Sequence, residues 1–193
     1  MTPFITLTSI VAPLLRNNID TDTIIPSREM TSTGRTGFAD GLFAPWRYIE
    51  GRTPDPDFVL NQMPDAQILA GGTNFGCGSS REHAVWALAE WGIRCIIAES
   101  FAPIFYNNCV RNGLLPIALG RPVWREILGQ SVTINLVEQH VQVGDHYRLF
   151  HIDDEAKMML VEGLDAIDLT LKHAPAIAAF HVRDRAARPW VYL

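Results

Sequence analysis

Apolar and polar positions along this chain fall into two regimes. The centre is strongly ordered. Residues 66–70 read as a short strand, and Ala84, Val85, Leu88 and Trp91 then recur at helical spacing across 80–91. Gly92 ends that segment. The run 93–98 reads as a buried strand, 101–112 as a helix closed by Gly113, and 114–119 as a further strand. A β-α-β-α-β order with short connections predicts parallel pairing. Ile5, Leu7, Ser9 and Val11 alternate within 4–11 and predict an opening strand. Residues 132–137 and 140–143 predict a hairpin turning near Glu138 and Gln139, extended by 146–152. Helices are predicted over 153–164, with Asp153 near its N-cap and Gly163 near its end, and over 174–185, with Pro175 in the first turn.

The second regime is 27–65, which has no sustained period. Gly34, Gly37, Gly41 and Gly51, with Pro45, Pro54, Pro56 and Pro64, break it up. One short helix is expected around 38–46. Long irregular stretches in compact domains act as binding loops or covers. With no internal repeat, the whole reads as α/β with a mixed sheet, in one domain over 1–193.

Composition narrows the function. A hydrophobic fraction of 48% and a charged fraction of 19% in 193 residues specify a folded core and exclude a disordered chain. With 16 basic and 21 acidic residues the net charge is −5, which argues against nucleic-acid or membrane partners. Lys157 and Lys172 are the only lysines. The arginine bias reflects either base composition or bidentate recognition of carboxylates. No apolar run approaches the ~20 residues of a membrane span, and no positive charge precedes Arg16 as a signal peptide would require. Cys77, Cys95 and Cys109 are sparse and odd in number. They fit a reducing, cytoplasmic setting without disulfides, and they argue against a metal site in this chain.

The chemistry concentrates in Asn74-Phe75-Gly76-Cys77-Gly78-Ser79-Ser80-Arg81-Glu82-His83-Ala84, which follows a strand and opens a helix. Gly76 and Gly78 let backbone amides approach a ligand closely. The helix start offers free N–H groups. With Ser79, Ser80 and Arg81 this makes a site for a small anion. The competing reading is a capping box, in which Ser79 caps the helix and Glu82 reaches back to its N–H. No nucleotide P-loop, G-x-G-x-x-G or G-x-S-x-G pattern is present. His83 reads as a locally satisfied helix histidine or a base. Asp20-Thr21-Asp22-Thr23 reads as an Asx-type turn or as a carboxylate holding an arginine for substrate. Arg35, in Gly34-Arg35-Thr36-Gly37-Phe38, reads as a solvated arginine or a substrate contact.

These stretches resemble the small subunit of isopropylmalate isomerase, a relative of the aconitase swivelling domain. The matching residues are 18–26, 35–38 and 74–84, then Ser100-Phe101-Ala102, Ile104-Phe105-Tyr106 with Asn108, Asn112 with Leu114-Leu115-Pro116, and Gly163-Leu164-Asp165 with Ile167 and Leu169-Thr170. They keep the expected order over nearly the whole chain. The resemblance implies a swivel-like β/β/α fold and a two-subunit lyase of leucine biosynthesis. It would interconvert 2- and 3-isopropylmalate by removing and re-adding water. A [4Fe–4S] cluster would sit on the large-subunit partner and none on this chain. The resemblance also makes Ser79 the base and places Ser80, Arg81 and Asp22 around the substrate, with Arg35 carried over weakly. Gly76, Cys77 and Gly78 would shape the loop, Cys77 standing where aconitase has glutamate. Phe38, Leu42 and Phe43 read as core packing, with contact to an apolar substituent the alternative. The competing functions are a related dehydratase for another branched malate and a non-catalytic anion-binding module.

Overall fold

The computed structural model describes residues 1–79, 81–120 and 124–192. In chain order the strands of the main sheet and its linking ribbon are β1 (Thr6–Leu14), β2 (Tyr48–Ile49), β3 (Thr53–Pro54), β4 (Ile68–Gly71), β5 (Cys95–Ala98), β6 (Leu115–Ala118), β7 (Ser131–Asn135), β8 (His140–Val143) and β9 (His146–Leu149). The α-helices are α1 (Thr21–Ile24), α2 (Ala44–Arg47), α3 (Val59–Gln62), α4 (Glu82–Trp91), α5 (Pro103–Arg111), α6 (Trp124–Ile127), α7 (Asp154–Glu162), α8 (Ala166–Leu171) and α9 (Ala174–Ala187).

Seven strands form one sheet in the order β6-β5-β4-β1-β7-β8-β9. β1, β4, β5 and β6 run parallel, and β7, β8 and β9 add antiparallel strands on the other side of β1. The expected parallel core is present, with β1 pairing β4 at its edge. The opening strand begins later than the alternation suggests: Ile5 is exposed, and β1 continues to Leu14.

Alternation along the strands fills two cores. Leu69 and Ile96 face one cluster with Ile24, Phe38, Phe43, Phe105 and Leu88. Ile68, Ala70, Cys95 and Ile97 face the other, with Ile117, Ile134, Val141 and Leu160. Period-two placement makes these the two faces of the sheet. β4 and β5 are buried at every position, as expected of strands covered on both sides.

The irregular segment is a cover. Phe38, Leu42, Phe43 and Leu60 are fully buried, so the packing reading of the first three holds. Two devices pin the segment. The Glu90 carboxylate, at the end of α4, accepts from the N–H groups of Gly37 (2.8 Å), Phe38 (2.6 Å) and Ala39 (3.1 Å). Buried Arg47 donates to the Ala39 carbonyl at 3.1 Å and to the Asp40 carbonyl, between the rings of Tyr48 and Trp91. The expected helix near 38–46 is shorter, a single turn at α2, with the β2–β3 ribbon beyond it.

Candidate active site

Three segments lie side by side beyond the carboxyl ends of β1, β4 and β5, where ligands bind in open α/β sheets. The Asn18 N–H donates to Thr73 O (2.8 Å), Gly76 N–H to Ile19 O (2.7 Å) and Thr21 N–H to Cys77 O (2.8 Å). On the far side Phe75 N–H donates to Ser100 O, and Ala102 N–H to Phe75 O, both at 2.9 Å. The polar turn and the glycine-rich loop, separate in sequence, are therefore one surface. Asn18 and Asn74 both adopt left-handed backbone, and the Asn74 side chain donates to that of Asn18 at 2.9 Å.

Glycine is required at 76. Its φ is +76°, and a Cβ there would lie 2.0 Å from a ring carbon of Phe105. Gly78 has φ +96°, and a Cβ there would come within 3.3 Å of the Thr21 hydroxyl. Asp20 caps α1, accepting from Thr23 N–H at 2.6 Å, so the Asx-type reading of Asp20 holds. Cys77 backs onto Asp20, and burial together with that carboxylate pushes its thiol up.

The capping box does not form as expected. α4 begins at Glu82, its N-cap is Arg81, and no side chain caps it. Glu82 accepts instead from the Asn112 side chain at 2.9 Å, and Asn112 accepts from the Trp86 indole at 2.9 Å. An amide partner captured the carboxylate that the motif would have turned back. Ser79 thus sits outside the helix, exposed, with its carbonyl accepting from the Thr21 hydroxyl (3.1 Å) and from Arg81 N–H (2.8 Å). No hydrogen bond engages its own hydroxyl among the described residues.

Arg81 pairs with Asp22, as the carboxylate-to-arginine reading of the polar turn anticipates. Both side chains reach solvent, at 27% and 58% exposure. Ser80 lies outside the described residues. His83 packs edge-on against Phe38, with ring centroids 5.2 Å apart, and lies 4.8 Å from Trp86. Arg35 lies over the Trp86 ring, 5.6 Å from its centroid, one turn along α4 from Glu82. The open first turn of α4, the Arg81 guanidinium and the Ser79 hydroxyl form one wall that can receive a carboxylate. Among the described residues no three His, Cys, Asp or Glu side chains group to hold a metal ion. Cys95 and Cys109 are enclosed, and burial pushes their thiols far up.

Sequence reasoning missed Thr21, Glu90 and Asn112 as supports. Thr21 lay inside a singled-out motif, whereas the partners of Glu90 and Asn112 come from residues 26 to 53 positions away.

The family model described as the aconitase C-terminal domain matches residues 1–122, and that described as the C-terminal domain of the 3-isopropylmalate dehydratase small subunit matches 167–192. The 3-isopropylmalate dehydratase small subunit of Cupriavidus necator is 52% identical, over 100% of this chain and 99% of its own. This chain belongs to the 3-isopropylmalate dehydratase small-subunit family. The Agrobacterium fabrum member is 46% identical, over 98% of this chain and 100% of its own length. A solved 3-isopropylmalate dehydratase structure from Methanocaldococcus jannaschii superposes with a TM-score of 0.70 at 26% identity, covering 90% of this chain and 98% of that one. Within the family frame, the aconitase-type match spans β1 to β6 and the whole glycine-rich loop, while the small-subunit match falls on α8 and α9. No helix among the described residues is long and apolar enough to cross a membrane.

Proposed function

We propose that this chain is the small subunit of a 3-isopropylmalate dehydratase, working in leucine biosynthesis with a large-subunit partner in the cytoplasm. It isomerises 2- and 3-isopropylmalate by dehydration and rehydration. The observation that carries this reading is the full-length likeness to small subunits of that enzyme, joined to an exposed Ser79 and an Asp22-held Arg81 at an uncapped helix start.

The assigned roles follow from the chemistry of each group. Arg81 and the first-turn N–H groups of α4 hold a substrate carboxylate, and Asp22 fixes the direction of the guanidinium. Ser79 takes a proton from the carbon next to a carboxylate while hydroxide leaves the neighbouring carbon, so that water is lost and a double bond forms. Readdition in the opposite sense returns the proton from Ser79 to the other carbon. Ser80, next in the chain, serves the substrate carboxylate as the resemblance implies. A serine alkoxide needs stabilisation by nearby positive charge, which Arg81 and the helix start supply in a site closed to water. The partner supplies that closure, because Ser79 is open to solvent in this chain alone. The resemblance puts a [4Fe–4S] cluster, a Lewis acid for the departing hydroxyl, on the large subunit.

Reconstitution tests the reading. Full-length chain mixed with its large subunit should interconvert 2- and 3-isopropylmalate, and neither chain should do so alone. Turnover confined to another branched hydroxy-diacid would redirect the substrate. Isomerisation by this chain alone would overturn the shared site.

A further inference from the structure

A cavity of about 380 Å³ lies beside α4, away from Ser79 and Arg81. Ala89 in the last turns of α4, Arg94 ahead of β5, Arg111 at the end of α5 and Asn112 line it, and Arg35 reaches it across the Trp86 ring. Neither Ser79 nor Arg81 lines it. Ala89 is eight residues beyond Arg81, about 12 Å along a helix.

Its charge is unusual for this chain. Three arginines, Arg35, Arg94 and Arg111, line one cavity in a molecule of net charge −5. None of the three is in a salt bridge with a carboxylate among the described residues, whereas Arg47, Arg52, Arg81, Arg148 and Arg188 all are. The Arg94 guanidinium makes one long bond, 3.4 Å to Pro3 O, and lies 5.6 Å from the centroid of the Phe4 ring, with its Nε buried and unbonded. The acidic residue in the lining, Asp165, is already engaged: it caps α8, accepting from Ile167 and Asp168 N–H at 2.8 Å. That leaves a surplus of positive charge around polar walls.

We propose that this cavity is a binding site for a small, multiply charged oxyanion, such as a dicarboxylate or a phosphate. Guanidinium forks suit such groups, since paired parallel N–H donors match two oxygens of one carboxylate or phosphate. The volume is in the range of small-ligand sites. The site is additional to the carboxylate wall at Ser79 and does not depend on it.

The test is a titration of the isotope-labelled full chain with sodium phosphate and, separately, with sodium malonate, at ionic strength held constant with sodium chloride. Backbone amide resonances are followed by NMR. The expected result is saturable shifts at Arg94 and at 111–114 with at least one of the two anions. A response to phosphate alone identifies a phosphate-type ligand, and a response to malonate alone a dicarboxylate. Arg111→Gln, at an exposed position that should leave the fold intact, should weaken this binding about tenfold. Arg94→Gln combined with Arg111→Gln should abolish saturation while any shifts at 76–82 persist. Absence of saturable shifts at Arg94 and 111–114, or unchanged affinity in Arg111→Gln, would overturn the proposal.

Discussion

The Thr21 hydroxyl donates a 3.1 Å hydrogen bond to the Ser79 carbonyl, so the first turn of α1 holds the residue assigned as the base. Thr21 is 2% exposed, so water cannot readily take over the bond. Thr21→Val keeps the shape and removes the donor. It should cost about 1 kcal/mol of stability and lower kcat more than it changes KM, because the loop loses its fixed register. Steady-state kinetics of the assembled enzyme with a urea melt of the variant check this.

Asp22 acts through Arg81. The pair is solvent-accessible, so Asp22→Asn should change folding stability by no more than about 0.5 kcal/mol. It should nevertheless reduce kcat/KM about tenfold, since an undirected guanidinium binds a carboxylate less well. Loss of stability without loss of kcat/KM would make the pair a structural one.

Gly76 and Gly78 separate two kinds of backbone constraint. Gly76→Ala places a methyl group against the Phe105 ring as well as straining a left-handed position, and should destabilise by more than about 3 kcal/mol. Gly78→Ala meets the Thr21 hydroxyl at 3.3 Å and the Asp20 Cβ at 3.4 Å, and should cost about 1–2 kcal/mol while disturbing activity. Paired denaturant melts give both numbers.

Glu90 links acid stability to the cover over α4. Burial raises its carboxyl, and the three N–H donors from Gly37, Phe38 and Ala39 outweigh that, leaving it below its ordinary value of 4.5. A depressed acid contributes stability that is complete above the unfolded value and lost as pH falls through the folded one. The stability difference between the parent chain and Glu90→Gln should therefore be largest near neutral pH and shrink below about pH 4.5. A difference that grows on acidification would contradict the sign.

Much of the architecture was legible in the sequence, for a physical reason. β4, α4, β5, α5 and β6 each satisfy their local period, and glycines follow β4, α4 and α5, so pattern and packing agree. The cover was not legible in detail. Its order comes from Glu90 and Arg47, each bonding to backbone groups that carry no side-chain signature. At the site, the loop residues were visible as a motif, but the choice between a capping box and an open helix start was decided by Asn112, 30 positions from Glu82. α8 escapes a pattern reading although Asp165 and Asp168 form its capping box, because six residues are too few to show a helical period.

The central claim is that the Ser79 hydroxyl moves the proton. Ser79→Ala, assembled with the large subunit, tests it most directly, with turnover and urea melting measured on the same preparation. Turnover should fall by about two orders of magnitude or more with the melt unchanged. Near-parental turnover in that variant would contradict the account.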